Sequence, residues 1–523
     1  MSGLFATLVS AALALAPLQE SKDILCLKDG RIVQGKPMAR VEGGIEITYK
    51  NGKVLVPSDL ILDAVLDADA KAPPLTDEEK AQAAKGFVRF ENKWVTPKQR
   101  DDIVAKRVAK HRVELEELRN HGEWRNRRTE KSRYFQFEYT VPQRIYEPYR
   151  DAMEAYFADF LKAWKIKAPK ADEPLAVCFY ADAKSFYQIG GVGKGVLGYF
   201  DPANRHLNIF YDRLDPARTE DTMFHEANHY LQSLIDPLFH MPHFPGESLA
   251  EYYGASEWDP QTRKFTVGLI QEPRLCEIQS DIAAGERMDL HKLITTDGMY
   301  EHYTWGWALV HFLMNDPRYA AKFQRFFLSL SDAKKVLRVD VGGGKETMKQ
   351  EDVLPVFMRE LGLKDATGLR KLQVEWHDYI DAKLDFVSIA GIERAALKAK
   401  RDGRTIRATR LLKEAIAKKT KNPIVHHTLA EIYAEDGKLV DAEAEWKRAS
   451  ELDPLNGLFY SRLAFYIAPK RKADAIRLQG LAAELGEDDF WVYLDLEGEK
   501  PEPGKEQPPD GSGPKKPKPP GGG

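Results

Sequence analysis

Apolar and polar residues alternate through residues 21–70, interrupted by the pairs Asp29-Gly30, Gly43-Gly44 and Asn51-Gly52. Alternation with a period of two is typical of strands that bury one face, and each of these pairs is a common hairpin turn. The pattern therefore predicts a small antiparallel β module. No residue in this segment indicates a ligand site, so we expect it to serve in packing.

Residues 71–130 are predicted to form a linker, a short hairpin and a long charged helix. Thr96 and Pro97 are typical of a helix N-cap and of the first helical position, so the helix should run from Pro97 to about Asn120. Charges of both signs lie at helical spacing along it. That pattern favours a solvent-exposed face over a basic arm that binds a partner.

Residues 131–392 combine strand and helix patterns and are predicted to form one α+β domain. Strands are expected at 135–139 and 174–180, with an amphipathic helix between them that ends near Trp164. A hairpin is expected at 199–210. The switch from strand to helix periodicity within one segment indicates a sheet covered by helices.

The second half of this domain is predicted to be an all-α lobe. A helix over Arg274–Ala284 follows Pro273 and is stopped by Gly285, and a further helix covers Tyr303–Asn315. Residues 317–390 continue with helical periodicity. We expect this lobe to close a cleft against the sheet.

Residues 404–490 repeat with a period of 33 to 34 residues. Ala415 and Ala449 are 34 positions apart, and Ala482 follows 33 positions later. That period resembles the tetratricopeptide repeat, a pair of helices that binds peptides or partner proteins in a concave groove. The resemblance implies a helical repeat segment over residues 393–497, with a possible protein partner bound through 404–490.

The two ends of the chain differ in composition from the rest. Leu4 to Ala16 form an apolar run, which predicts a signal peptide over residues 1–20 and an extracytoplasmic, periplasmic or secreted protein of bacterial type. No Lys or Arg precedes the run, so a buried first helix is the alternative. Residues 498–523 are rich in Pro, Gly and Lys and are predicted to be disordered.

Overall charge and composition exclude several classes of function. The formal net charge of −3 argues against nucleic acid as a partner, and no apolar stretch reaches the roughly 20 residues that a membrane span requires. The 3 cysteines have no C-x-x-C spacing, which argues against a cysteine zinc cluster. The glycine-rich stretches at 190–198 and 342–344 lack the context of a dinucleotide site and of a P-loop.

The sequence His225-Glu226-Ala227-Asn228-His229 is the strongest chemical signal in the chain. Residues four apart lie on the same face of a helix, so His225 and His229 can bind one Zn²⁺ together. Glu226 is then beside the open coordination position, where it can accept a proton from water. The motif predicts a zinc site with a general base.

A third ligand is expected downstream of this helix. Glu247 follows His229 after seventeen intervening residues, and Glu251 lies four residues later on the same helical face, where it could orient a ligand. Lone histidines can also bind zinc. We therefore keep three histidines near the site as alternative ligands: His206, His240 and His243.

The H-E-x-x-H motif followed by Gly246-Glu247-Ser248-Leu249-Ala250-Glu251 resembles the gluzincin zinc metallopeptidases over roughly residues 130–390. The resemblance implies a zincin-like domain with one Zn²⁺, held by His225, His229 and Glu247, and with Glu226 as general base. Glu251 would orient a zinc-bound histidine. The family's ligand glutamate usually lies one or two residues further along, and the G-x-M-E-N motif of its aminopeptidases is not found here.

A second segment of the chain is similar to the gluzincin pattern. Tyr303-Thr304-Trp305-Gly306-Trp307-Ala308 resembles the Y-E-K-G-A segment of the family's aminopeptidases, whose tyrosine stabilises the tetrahedral intermediate. This implies that Tyr303 is catalytic, with Tyr300 as its nearest alternative. The resemblance also implies that the strand before the active-site helix is a sheet edge, along which an extended peptide can pair.

These observations together predict an exported zinc metallopeptidase that hydrolyses a peptide or protein substrate. The alternative is a catalytically silent zinc-binding scaffold, whose tetratricopeptide-like repeats bind a protein partner. An intact Glu226 favours the enzyme, because a purely structural zinc site does not need this carboxylate.

Overall fold

The structure is a computed structural model that describes residues 22–488, apart from 67, 69–75, 92, 169–173, 194 and 202–203. The predicted signal peptide and the predicted disordered tail lie outside the described residues, as does most of the linker that follows the β module. The described part is a mixed α+β structure with small antiparallel sheets at its start and helices at its end.

Short antiparallel strands build the N-terminal module, as the alternating pattern predicts. The strands are β1 Ile24–Leu27, β2 Ile32–Gln34, β3 Met38–Val41, β4 Gly44–Tyr49, β5 Gly52–Pro57 and β6 Ile61–Val65. They form two three-stranded sheets, with the orders β2-β1-β6 and β3-β4-β5. Gly30 and Gly43 have φ of 93° and 88°, so these turns depend on the positive φ that glycine allows.

The next segment contains the predicted hairpin and charged helix. Its elements are α1 Asp77–Ala84, β7 Val88–Phe90, β8 Lys93–Val95 and α2 Pro97–His121. The Thr96 side chain accepts a hydrogen bond from the Gln99 backbone, and the Gln99 side chain accepts one from the Thr96 backbone. This reciprocal cap confirms the predicted start of α2.

The central domain is built on a five-stranded sheet. Its strands are β9 Arg128–Lys131, β10 Phe135–Tyr139, β11 Leu175–Tyr180, β12 Gly198–Asp201 and β13 His206–Phe210, in the order β12-β13-β11-β10-β9. The three inner strands are parallel, and β9 and β12 pair antiparallel at the two edges. Helices α3 Gln143–Trp164, α4 Ala183–Gly190 and α5 Pro216–Ser233 connect or follow these strands. The strand β12 is therefore a sheet edge, whereas β13, which directly precedes α5, lies inside the sheet, so the expectation of an edge strand directly before that helix is wrong.

Helices dominate the second half of the central domain. They are α6 His243–Gly254, α7 Glu272–Ala283, α8 Leu290–Thr295, α9 Glu301–Asn315, α10 Ala320–Ser329, α11 Val353–Leu361 and α12 Ala366–Lys383. Their apolar faces join those of α3 and α5 in the largest hydrophobic core, which buries bulky side chains such as Trp305, Trp307 and Trp376. Burial of each such side chain contributes roughly 1.5–3 kcal/mol.

This half of the described domain also contains short strands. Strands β14 Phe239–His240, β15 Glu257–Asp259 and β16 Lys264–Thr266 precede α7. Strands β17 Val339–Gly342 and β18 Lys345–Thr347 interrupt the helices of residues 317–390, so the prediction of an all-α lobe there is wrong. Three consecutive glycines, 342–344, have φ of 91°, 62° and 74° and make the turn between β17 and β18. The glycine cluster that is not a P-loop is thus a hairpin turn, and β18 pairs with β14.

The C-terminal part of the described chain is helical throughout. Its helices are α13 Ile389–Arg401, α14 Thr405–Ala417, α15 Pro423–Glu435, α16 Leu439–Leu452, α17 Gly457–Ile467 and α18 Lys472–Asp488. Ser388 caps α13, so this helix crosses the predicted boundary between residues 392 and 393. The Ser388 hydroxyl donates to Glu272 at the start of α7, over 2.6 Å. The first helix of the segment is thereby fixed to the central domain.

The far end of the helical segment packs against the N-terminal module. Leu455, Leu481 and Leu485 share a hydrophobic core with the β strands. Glu484 accepts hydrogen bonds from the backbone N–H groups of Lys50 and Asn51, over 2.8 and 3.0 Å. The first and last described parts of the chain are therefore in contact. Among the described helices, none combines the length and the hydropathy needed to cross a membrane.

Candidate metal centre

Helix α5 has two chemically different faces. Met223, Phe224 and Ala227 are buried in the core of the central domain, together with Tyr230 and Leu231. The stripe that carries His225, Glu226 and His229 is only partly buried. Burial of the apolar face fixes the rotation of the helix, so the H-E-x-x-H side chains point away from the core.

Three side chains bring their ligand atoms together at this stripe. Nε2 of His225 lies 3.3 Å from Nε2 of His229, and Oε2 of Glu247 lies 3.3 and 3.4 Å from these two atoms. A tetrahedral zinc ion with bonds of about 2.0–2.1 Å requires its ligand atoms to be roughly 3.3–3.4 Å apart. The triangle therefore fits zinc without rearrangement. Within the described residues, no other group of three His, Cys, Asp or Glu side chains converges in this way.

Helix α6 places Glu247 against α5 through a buried amide. The Gln232 side chain donates to the Gly246 carbonyl over 2.9 Å and to the Asn228 side chain over 2.7 Å. At the other side of α6, Gln350 donates to the Phe244 carbonyl over 2.9 Å. Both amides are buried, so these bonds are protected from water and hold the start of α6 in register with α5.

Glu251 lies behind the first histidine, as the motif implies. Its Oε1 is 3.5 Å from Nδ1 of His225, which leaves Nε2 of that ring directed at the other two ligands. Arg274 on α7 donates two hydrogen bonds to the same carboxylate, of 2.9 and 2.5 Å. A bidentate arginine fixes the plane of a carboxylate. Arg274 is thus a positioning residue that the sequence analysis missed, because no motif marks it.

Negative charge dominates the immediate surroundings of the two histidines. Burial lowers the pKa of His225, but its hydrogen bond to Glu247 and the charges of Glu251 and Glu226 outweigh this effect and raise the pKa to about 9. Burial is likewise outweighed at Glu247, whose pKa both histidines hold well below its usual range. Three carboxylates around two imidazoles attract a cation, and zinc can displace the protons.

Glu226 is held between α5 and the edge strand β12. Its Oε2 accepts a hydrogen bond from the backbone N–H of Phe200 over 3.2 Å. Burial raises the pKa of this carboxyl group, and the nearby histidines oppose that rise. A raised carboxyl pKa suits a general base, because it makes the carboxylate a stronger acceptor for the proton of a water molecule. Gly198 permits the close approach, since a Cβ there would lie 2.8 Å from Thr222 on α5.

Tyr303 lies beside His225, one of the three candidate ligands, whereas the Tyr300 hydroxyl bonds to other side chains. The Tyr303 ring is nearly parallel to that of His225, at 20° with centroids 6.0 Å apart. Burial and the carboxylate of Glu247 raise its pKa, so the hydroxyl remains a donor at neutral pH. The Tyr300 hydroxyl lies 3.1 Å from both Glu277 and Asp402 and can donate its one hydrogen to either carboxylate. Both tyrosines line the cavity that contains His225, but of the two it is the Tyr303 ring that stacks on His225.

Gly306 explains how Tyr303 reaches this position. A Cβ at Gly306 would lie 2.1 Å from the Ser248 hydroxyl of α6. The same hydroxyl donates to the backbone carbonyl of His302 over 2.9 Å. The absence of a side chain at Gly306 thus lets α9 approach α6 closely, one turn after Tyr303.

The alternative histidine ligands do not join the three converging atoms. His206 begins β13 and His240 lies in β14. Nδ1 of His243 is 2.6 Å from Nδ1 of His302, whose Nε2 faces the Leu293 carbonyl at 2.8 Å. Because that carbonyl can only accept, Nε2 of His302 carries its proton and Nδ1 accepts from His243. Burial, which lowers the His302 pKa to about 4, keeps this ring neutral.

The three cysteines take no part in the site. Cys26, Cys178 and Cys276 are all buried with free thiols. Burial raises the pKa of Cys178 to about 12 and that of Cys276 to about 11. Neither of these two thiols forms a thiolate readily, so they are inert packing groups.

Two cavities border the converging ligands. One, of about 350 Å³, contains His225, Glu226 and Tyr303 and is walled by the glycine loop before β12. Helix α13 supplies Arg394 and Lys398 to its opposite wall. The other, of about 640 Å³, contains His229 and Glu247. Both volumes fall in the roughly 300–1,000 Å³ range of ligand pockets.

No protein-family model matches the sequence, and no curated protein matches it significantly. The function is therefore inferred from the chemistry of the site. Its essential features are the three converging ligand atoms, the partly buried glutamate beside them and the edge strand whose Phe200 N–H bonds to that glutamate.

Proposed function

We propose that this protein is a zinc-dependent metallopeptidase with a gluzincin-type, zincin-like central domain. The observation that carries the proposal is the triangle of 3.3–3.4 Å between the ligand atoms of His225, His229 and Glu247. Oxygen-rich sites suit magnesium or calcium, whereas two imidazoles and one carboxylate are the ligand set of several catalytic zinc sites. One Zn²⁺ per chain is the expected occupant.

The proposed reaction is hydrolysis of a peptide bond. When bound, Zn²⁺ supplies a Lewis acid that lowers the pKa of a water molecule and polarises a carbonyl. Glu226 accepts the proton of the attacking water at its carboxylate and passes it to the leaving amine. Tyr303 donates its hydroxyl to the carbonyl oxygen as negative charge develops there. Glu251 and Arg274 keep the His225 ring oriented throughout.

The edge strand β12 supports a polypeptide substrate in particular. Among the described strands it has one neighbour in its sheet, β13, so its other edge can pair with an extended chain. The N–H of Phe200 on that edge bonds to Glu226, so a peptide lying along β12 would pass beside the general base. The two cavities that border the ligands would accept the residues flanking the scissile bond.

Comparison of the wild-type chain with Glu226→Gln tests the proposal. Glutamine keeps the size of the side chain but cannot accept the proton, so cleavage of a proteome-derived peptide library should fall by about 10²- to 10⁴-fold. The zinc content should stay near one per chain. Identical cleavage by the two proteins would assign the activity to a contaminant, and absence of cleavage in both would favour a zinc-binding scaffold with a partner at residues 404–490.

A further inference from the structure

The two cavities beside the metal-binding residues differ in charge. Described residues of the cavity next to His225 include five basic and five acidic side chains, so its charges balance. The cavity next to His229 is walled by Lys167, Arg205 and Lys345, and the one acidic side chain among its described residues is Glu247. Because Glu247 is itself a candidate zinc ligand, its charge is neutralised by the bound cation. The other charged side chains of this wall, Lys167, Arg205 and Lys345, are all basic.

Arg205 is fixed in place at this wall. It lies in the turn between β12 and β13 with φ of 59°, a conformation that residues other than glycine adopt rarely. Its guanidinium lies 5.4 Å from the ring centre of Tyr230 and donates to the Tyr230 hydroxyl over 2.8 Å. Tyr230 is buried and follows His229 directly in α5. The metal-binding helix therefore sets the position of this cation.

Lys345 reaches the same cavity from a different part of the fold. It begins β18, after the glycine turn, and β18 pairs with β14 beside His240. Lys345 and His240 both line this cavity. Basic groups from the β12–β13 turn and the β17–β18 hairpin thus face one space.

We propose that this cavity, on the His229 side of the metal centre, binds a carboxylate of the substrate through Arg205 and Lys345. This inference rests on the proposed peptidase function and names its substrate class: peptides that carry either an acidic side chain or a free C-terminal carboxylate near the scissile bond. Arginine and lysine bind a carboxylate by charge-assisted hydrogen bonds, which are the strong class of such bonds. The cavity on the His225 side has equal numbers of basic and acidic side chains, so it has no excess positive charge to bind a carboxylate.

Binding to the full-length, zinc-loaded Glu226→Gln protein tests the inference separately from turnover. The probes are acetylated and amidated alanine octapeptides with one Glu at successive positions, their Gln-matched counterparts, and one all-alanine peptide with a free C-terminus. We expect at least one Glu peptide, or the peptide with the free C-terminus, to bind about 10- to 100-fold more tightly than its neutral match. Which of the two does so identifies the source of the carboxylate.

Three further variants assign the effect to this cavity. Arg205→Glu and Lys345→Glu should each remove the preference, whereas Arg205→Lys should retain part of it. Lys364→Glu changes an exposed lysine that lines neither cavity, and it should leave the preference intact. Lys345→Glu keeps the test valid if the turn at Arg205 does not tolerate substitution, because the two residues lie on different hairpins.

The inference and the proposed function fail in distinguishable ways. Equal binding of all charged and neutral peptides, or a preference that survives both Arg205→Glu and Lys345→Glu, would overturn the carboxylate site. Cleavage by the wild-type protein would then still support the peptidase. Conversely, a charge-dependent preference without any cleavage by the wild-type protein would support the carboxylate site and remove the peptidase assignment.

Discussion

Two helices of this protein carry paired histidines with glutamates nearby, and their geometry differs. On α5 the histidines are four residues apart, and both rings meet Glu247. On α15 the histidines are adjacent, at 426 and 427. Consecutive residues of a helix point about 100° apart, so the two rings cannot share one ligand position.

The α15 histidines each have partners of their own. Nδ1 of His426 is 2.7 Å from the Glu445 carboxylate of α16. Nδ1 of His427 accepts from the Trp446 indole over 3.1 Å, and burial lowers the pKa of this ring. These contacts join α15 to α16 and leave no shared space for an ion. Convergence of lone pairs on one point, rather than the number of His and Glu residues, distinguishes the candidate metal site on α5.

Removal of a candidate zinc ligand should give the largest difference in zinc content between variants of the α5 histidine pair and variants of the α15 pair. His225→Ala or Glu247→Ala should reduce bound zinc from about one per chain to near zero, because two remaining ligands hold zinc weakly, and should abolish peptidase activity with it. The matched variant His426→Ala should retain full zinc content. Metal analysis of the purified proteins after dialysis checks both results. Full zinc retention in Glu247→Ala would exclude that residue as a ligand and direct attention to His243.

Tyr303→Phe should have the next largest effect, and on a different quantity. Loss of one donor to the developing oxyanion typically lowers kcat by about 100-fold or more. Because the hydroxyl is not among the three converging ligand atoms, zinc content should be unchanged. The control is Tyr300→Phe, which removes a hydroxyl bonded to Glu277 and Asp402 and should affect kcat much less. Steady-state kinetics on one cleaved peptide measures both effects. A larger loss of kcat in Tyr300→Phe than in Tyr303→Phe would contradict the assignment of Tyr303.

Glu251→Gln should weaken zinc binding without abolishing it. This carboxylate orients His225 from 3.5 Å, and the loss of such an orienting partner typically costs 10- to 100-fold in metal affinity. Competition with a zinc chelator of known affinity measures the change. The variant Glu445→Gln on α16 provides the comparison, since its histidine partner binds no ion in our proposal. An unchanged affinity in Glu251→Gln would mean that Arg274 and the helix backbone suffice to hold the ring.

Local patterns predicted the features of the fold and of the candidate site that lie within a single helix. The spacing of His225 and His229 follows from one helical turn, and the cap at Thr96 follows from residues three apart. The contacts that Arg274 and helix α13 make at the candidate site could not be predicted in this way. Arg274 meets Glu251 across 23 residues, and Arg394 meets Asp221 across 173, and such ion pairs leave no periodic trace in the sequence.

The β17–β18 hairpin was missed for a related reason. Its strands are only four and three residues long, too short for alternation to stand out against the helices around them. The pairing of β18 with β14 depends on residues about a hundred positions earlier in the chain. Contacts of this kind place Lys345 in the wall of the cavity next to His229, so the charge of that cavity could not be predicted from the sequence pattern.

The smallest expected effect is a change in the free energy of unfolding, measured with and without zinc, at the histidine pairs of α15 and α5. Glu445→Gln weakens one partly exposed hydrogen bond to His426 and should lower the free energy of unfolding by about 1 kcal/mol. Because this bond involves no metal, thermal unfolding should show the same loss with zinc and with a chelator.

Glu247→Gln should behave differently, since zinc stabilises only a folded state that binds it. Its destabilisation relative to wild type should be large with zinc and should become smaller, without vanishing, with the chelator, because Glu247 still pairs with His225 and His229 when no zinc is bound. Equal zinc dependence of the two variants would remove the distinction between a metal centre on α5 and a structural contact on α15.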